Sequence, residues 1–569
     1  MVCRPQQRPH WPELAQFQGT LGQGPERLKD LFIALFTLER ALSKLHTYAH
    51  MRHDEDLASD PYKAANAKIS FIYQDFGQEM AWIEPEILSL DEQLLASYLK
   101  APVMAPYRIY LERIVRFKPH ILPADQEELL ALAGSALSTP GRAFSALNNA
   151  DLKFPDVVDS KGESHPLSHG NYQLYIRSPD RTLRQNAFKT LHGAFTHHEN
   201  SIAELLNGLV QCHLLNVRAR KFPSCLEAAL FPHQIDPAVY STLVETVRRN
   251  ISSLHRYMKV RKKLLGVDEL HMYDVYVPLV RDVDLTYNYQ EAEQMVCASV
   301  APLGSEYQQQ LKNGLLQERW VDRYENKRKR SGAYSGGCYD SMPYILMNYH
   351  GTLRDLMTLA HEAGHSMHSL LANKRQPYHY SGYSIFVAEV ASTFNEELLF
   401  RFILEQEKRP EVRRFLINEK IEDIRATFFR QTMFAEFELK MHTLAEQNVP
   451  LTPTLLKSEY RALNEAYFGP DIVVDAEIDI EWARIPHFYN NFYVYQYATG
   501  ISAAYAFFEK VMKGGGADRD AYLNMLASGS SDFPLDLLAK AGVDMRTPKP
   551  VESMIRIFDE LVEQLNLSH

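Results

Sequence analysis

The segment Thr358-Leu359-Ala360-His361-Glu362-Ala363-Gly364-His365-Ser366-Met367-His368-Ser369-Leu370 reads as one helix. On a helix, His361 and His365 lie about 40° apart on one face and one turn apart, so their imidazoles can grip one ion. Glu362 falls about 100° round from His361. It is displaced from a ligand's position but able to reach a water in the open coordination position, which is the geometry of a general base. Leu356, Met357, Leu359, Ala360 and Met367 are apolar, so the helix is expected to be largely buried. Paired imidazoles and a carboxylate need a reason to sit there, and a metal supplies it.

Catalytic zinc takes three protein ligands and keeps one position open, so a further donor must come from elsewhere in the chain. Glu389 is the candidate. It follows the turn-rich stretch Asn373–Gly382, with Pro377 inside it, and opens the helical pattern Phe386–Phe400, which can return alongside the first helix. Ser392 and Glu396 share its face at i+3 and i+7 and can orient ligands. On spacing alone, Glu396 and Glu397 compete with Glu389 for the ligand position.

The rest of the chain sets bounds on this site. At 569 residues it exceeds what one hydrophobic core serves, so two packed lobes or a large helical body with subdomains are expected. With 46% hydrophobic and 23% charged residues the composition is globular. A net charge of -10 over this length implies neither a nucleic-acid footprint nor a membrane-surface patch. The five cysteines, Cys3, Cys212, Cys225, Cys297 and Cys338, are widely spaced with no CxxC pair, which argues against a disulfide framework or a thiolate zinc site. Met1–Gly19 has no apolar core of a signal peptide, and no run of about 18 apolar residues occurs, so a cytoplasmic protein without membrane spans is expected.

Most of the chain patterns as helix. Leu28–Tyr48 carries apolar residues at helical spacing, Ser178-Pro179-Asp180 supplies a cap and a first-turn Pro for a pattern running towards Arg220, and Pro410-Glu411 opens another continuing to about Ala445. The exception is Ser331–Tyr349, where glycines precede the strand-like run Met342–Tyr349, read as an edge strand. The polar stretch Asp151–Tyr172 marks a boundary between an N-terminal helical lobe, residues 1–160, and a catalytic domain, residues 161–569. Lys327-Arg328-Lys329-Arg330 is expected to be solvated charge.

His361-Glu362-Ala363-Gly364-His365-Ser366-Met367-His368, followed by Phe386-Val387-Ala388-Glu389-Val390-Ala391-Ser392-Thr393-Phe394-Asn395-Glu396, resembles the oligoendopeptidase F branch of the thimet-oligopeptidase-like metallopeptidases. Arg330–Gly337, Arg430–Phe437 and Ile485–Ala498 resemble it too, and the likeness runs from about residue 160 to the end. The resemblance implies a mainly helical, two-lobed body enclosing a deep channel, with a small sheet beside the zinc helix. It implies one zinc ion, with Glu389 as third ligand, and short peptides cut at internal bonds by a zinc-bound water that Glu362 activates. In such a site the strand at Met342–Tyr349 would pair with an extended peptide.

Amide hydrolysis builds negative charge on the carbonyl oxygen, which hydrogen-bond donors must share. Tyr493 and Tyr497, read as i and i+4 on one helical face, and His487 are the candidates that the resemblance places near the substrate, with Tyr495 able to replace either tyrosine. His368, His271, His165 and His169 are expected to pack or to support rather than to ligate. Two other functions compete. A zinc exopeptidase would share the chemistry, and a peptide-binding protein with structural zinc would share the ligands, although structural sites usually close with four Cys-rich ligands and no cysteine lies near His361 in sequence.

Overall fold

The computed structural model describes residues 11–280, 283 and 285–567. Cys3 and the first half of the Met1–Gly19 stretch lie outside them. The described chain is mainly helical, as expected, with only small sheets. It divides into two compact units, each assembled from three segments, whereas the expected boundary after residue 160 is a single linear cut.

The first unit comprises the chain up to Ile121, Leu285–Leu399 and Lys510–Gly542. Its longest helix, α1 (Pro25–Glu55), starts with Pro in its first turn, where the missing N–H costs nothing. Leu28, Leu31, Phe32, Leu35, Phe36 and Leu42 form its buried stripe and pack with Ile69, Phe76, Leu95 and Leu111. Leu45, an apolar residue inside the Leu28–Tyr48 pattern, is exposed.

A three-stranded sheet contains β1 (Val321–Asp322), β2 (Tyr334–Gly336) and β3 (Tyr344–Leu346). Its order is β1-β3-β2, with β3 parallel to β1 and antiparallel to β2. The Met342–Tyr349 run is therefore the central strand and not the edge, because it has hydrogen-bonded neighbours on both sides. The edge beside the helix that carries His361 and His365 is β2. The basic run also departs from expectation: Lys329 is buried, its Nζ 2.7 Å from the Tyr324 carbonyl and 3.0 Å from the Asp322 carboxylate, and Arg330 pairs with the buried Asp54 at 3.2 Å. These charges pin the loop ahead of β2.

Two further helices complete the first unit's framework, α2 (Leu353–Arg375) and α3 (Ile385–Gln406), the latter running past the unit's limit at Leu399.

The second unit comprises Leu122–Asp284, Phe400–Glu509 and the chain from Val543. Asp180 itself caps the helix Arg181–Thr196, accepting from the Thr182 and Leu183 amides at 2.9 and 3.1 Å, so the helix starts two residues later than the Ser178 cap would place it. The pattern towards Arg220 is two helices, broken at His197 and His198. The pattern from Pro410 runs to Glu446 through one widened turn, Arg425–Phe429. The buried Glu481 is paired: Arg430 meets it at 2.7 Å, and Tyr460 donates to the same carboxylate at 2.6 Å. This compensates for taking those charges out of water.

Candidate active site

Helix α2, which carries His361, Glu362 and His365, begins eight residues before His361. Thr352 caps it, its hydroxyl accepting from the Asp355 amide at 3.2 Å while the Asp355 carboxylate accepts from the Thr352 amide at 3.0 Å. This reciprocal pair satisfies two otherwise orphaned donors. Leu356, Leu359, Ala360, Ala363 and Met367 are buried, which orients the helix and leaves His361 and His365 half-buried.

Gly364 decides how α3 meets this helix. A Cβ on Gly364 would lie 2.6 Å from the Ala391 carbonyl oxygen and 2.6 Å from the Ser392 Cα, so only glycine permits the two backbones to approach this closely. The contact sets Glu389, one turn before Ser392, opposite the histidines. His361 Nε2 and His365 Nε2 are 3.2 Å apart, and Glu389 Oε2 lies 3.4 and 3.5 Å from them.

Those three separations test the donor set. A tetrahedral ion with ligands at about 2.0–2.1 Å has ligand–ligand edges of about 3.3–3.4 Å, which the triangle reproduces. His361 Nδ1 is engaged by Glu396 Oε1 at 2.5 Å, which directs Nε2 towards Glu389. Ser392 donates to Glu389 Oε2 at 2.9 Å. Glu396 thus stands on the far side of His361 from the triangle, and Glu397 is buried outside it. The residues fit a divalent metal with partners that hold the ligands in place.

Three carboxylates, Glu396, Glu389 and Glu362, act on His361 and set the charges of the site. Burial disfavours an ionised Glu389, but His365, His361 and the Ser392 hydroxyl outweigh it and bring the carboxyl down to about 2. Burial likewise opposes charge on His361, yet the Glu396 contact and the charges of Glu389 and Glu362 lift it to about 9. Glu362 is buried, and that burial raises its pKa against the pull of the two histidines. Ser335 Oγ is 2.8 Å from Ser366 Oγ, so β2 is tied to the helix beside the base. His368 stacks on Tyr383 at 3.6 Å, and burial lowers it to about 3, which makes it a neutral support.

His487, Tyr493 and Tyr497 belong to the second unit and cluster there. The Tyr497 ring is 5.9 Å from His487 and 5.5 Å from Tyr493. The helix α4 (Tyr495–Gly514) starts after Tyr493, so the two tyrosines meet across a turn, Gln496 N donating to the Tyr493 carbonyl at 3.2 Å, and not along a helical face. Tyr495 is buried against Tyr240, with ring centroids 5.1 Å apart, whereas Tyr493 and Tyr497 stay half-exposed. Phe492 holds the turn with φ +49°, and its amide donates to the buried Glu438 at 2.7 Å. Neither device had a signal in the sequence. His271, His165 and His169 bond Asp475, Asp159 and the Asn148 carbonyl.

Comparison with known proteins agrees over nearly the whole chain. The model of peptidase family M3 matches residues 174–557 and that of oligopeptidase F matches residues 86–154. Oligopeptidase PepF of Bacillus subtilis is 43% identical over 555 residues, 97% of this chain and 83% of the relative. A solved structure from Chlamydophila abortus superposes with a TM-score of 0.95 at 42% identity, covering 99% of this chain and 94% of that one. Oligoendopeptidase-F from Enterococcus faecium superposes with a TM-score of 0.75 at 35% identity, covering 98% and 96%. Among the described residues no helix is long and apolar enough to cross a membrane. The chain belongs to peptidase family M3, in its oligoendopeptidase F branch, and is a metalloendopeptidase.

Proposed function

We propose that the protein is a zinc-dependent endopeptidase that hydrolyses internal bonds of short oligopeptides, with one ion held by His361, His365 and Glu389. The reading rests on one observation above all: three ligand atoms 3.2–3.5 Å apart, with a buried carboxyl, Glu362, on the same helix. When bound, zinc supplies a Lewis acid that polarises the scissile carbonyl and acidifies water.

The side chains do the rest. Glu396 and Ser392 hold His361 and Glu389, so little reorganisation is needed at the moment of reaction. Glu362, its proton affinity raised by burial, takes a proton from the attacking water and passes it to the leaving amine nitrogen. The edge strand β2 offers backbone groups to an extended peptide, a role that the central strand cannot fill. His487, Tyr493 and Tyr497 are proposed as donors to the developing oxyanion, on their clustering and on the family pattern.

Glu362→Gln tests the mechanism, because it keeps the shape and removes the base. The variant should retain zinc and bind peptide, yet lose turnover by about 100- to 10,000-fold. Near-normal turnover would sink the role of Glu362. Loss of zinc along with activity would make Glu362 a ligand or fold determinant, so metal content and peptide binding are measured on the same preparation.

A further inference from the structure

The first unit contains a cleft of about 540 Å³ that starts one turn along α2 from His365, at Ser369, and follows β2 from Ser335 past Gly337. Phe36, Tyr110, Tyr378, Met342 and Pro343 give it aromatic and apolar walls. Into these walls α1 projects Glu39, with Ser43 one turn on.

Glu39 has no ion-pair or hydrogen-bond partner among the described residues. The cations nearest on its helix are engaged elsewhere: Arg40 Nε lies 2.6 Å from Asp340, and Lys44 Nζ is 3.2 Å from the same carboxylate. His379, the other titratable group of opposite sign in the wall, places Nε2 2.9 Å from the Pro106 carbonyl, and burial lowers its pKa, so it stays neutral. A carboxyl beside aromatic rings with no counter-charge is costly, and burial pushes Glu39 up to about 7. A ligand that brings a cation relieves that cost.

We propose that this cleft is a substrate subsite for a long cationic side chain, Lys or Arg, whose charge is received by Glu39. An aliphatic stem or a guanidinium plane suits the aromatic walls, and the charged head reaches the carboxylate. The cleft adjoins both the metal-site helix and the strand offered to the peptide backbone, so a side chain leaving a bound peptide near the cut enters it. The proposal rests on the peptidase reading above and adds a preference to it.

The test uses N-acetylated, internally quenched peptides identical except that Lys or norleucine occupies each position around the cut in turn. Blocking the terminus excludes a free α-amino group as the cation. The expected result is one position at which the wild-type enzyme favours Lys by about 10- to 100-fold in kcat/KM, the range of a hydrogen-bonded charge pair. Glu39→Gln should bring that Lys-to-norleucine ratio close to one, Glu39→Asp should keep part of it, and Glu39→Lys should turn it towards Glu-bearing peptides. The same peptide pairs are titrated onto the Glu362→Gln protein, where Lys should bind more tightly at that position. Peptides cut or bound without discrimination, or a preference that survives Glu39→Gln, would overturn the subsite and leave the peptidase reading standing. Discrimination in binding with no cleavage by wild type would support the subsite while refuting the peptidase reading.

Discussion

Gly364→Ala adds one methyl group where α2 and α3 touch. The new carbon would sit 2.6 Å from the Ala391 carbonyl oxygen and from the Ser392 Cα, against an ordinary contact of 3.4 Å, so the helices must separate by about 0.8 Å. Both obstructing atoms are backbone, so no side-chain rotation relieves the clash. Alanine gains up to about 1 kcal/mol of helix propensity over glycine, while overpacking costs about 1–3 kcal/mol. Unfolding free energy should therefore fall by no more than about 3 kcal/mol. The metal site should suffer more, because Glu389 rides on α3, and metal–ligand distances tolerate only about 0.2 Å. Zinc affinity, measured by competition with a chromogenic chelator, should drop by about 10- to 100-fold, as when a ligand's supporting partner is removed. Unfolding is followed on the same preparation without metal. Zinc affinity within about threefold of wild type would refute the claim that this contact sets the ligand triangle.

Other substitutions separate neighbouring roles. Glu389→Gln should weaken zinc binding more than Glu396→Gln, which removes the partner of His361 Nδ1 and should cost about 10- to 100-fold; the reverse order would exchange their roles. Tyr497→Phe should lower kcat by about 100- to 1,000-fold if its hydroxyl reaches the oxyanion, whereas Tyr495→Phe, buried against Tyr240, should leave kcat within a few-fold in the same peptide assay. Arg430→Met leaves Glu481 without its 2.7 Å partner and should destabilise by about 3–5 kcal/mol in denaturant unfolding. His192 is fully buried, and burial, aided by Arg484, lowers it to about 4 from the usual 6.5. The unfolded chain then binds the extra proton between those values, so this histidine's contribution is intact above pH 6.5 and is lost as pH falls towards 4. Between pH 7.5 and pH 5 the loss is about 2 kcal/mol, and His192→Met should flatten that part of the profile.

Much of the candidate site was legible in the sequence because it is local. His361, Glu362 and His365 owe their arrangement to helical periodicity, and Glu389 with Ser392 to the next helix, so spacing alone yields faces and turns. The mainly helical class follows in the same way from the long apolar periodicities of Leu28–Tyr48 and Pro410–Ala445. The element limits shifted where capping chemistry competed: Asp180 and not Ser178 caps its helix, and Thr352 starts α2 earlier than its apolar run suggests.

What the tertiary structure alone decided depends on residues distant in sequence. Strand order is one case: the apolar run at Tyr344–Leu346 reads the same at an edge or in the centre, and only its pairing with Val321–Asp322 made it central. The basic run is another, since Lys329 is buried by groups that no local pattern reveals. Tyr493 and Tyr497 have the spacing of a helical pair, but the Phe492 turn and the later start of α4 bring them together differently. Glu39 lies over 300 residues before Ser369, on an ordinary amphipathic helix, and nothing in its own segment marks it as the charge in a cleft beside the metal site. Periodicity encodes which face a residue takes; which partner that face meets is set by packing across the chain, where close approaches such as Gly364 against Ala391 admit one arrangement and exclude the rest.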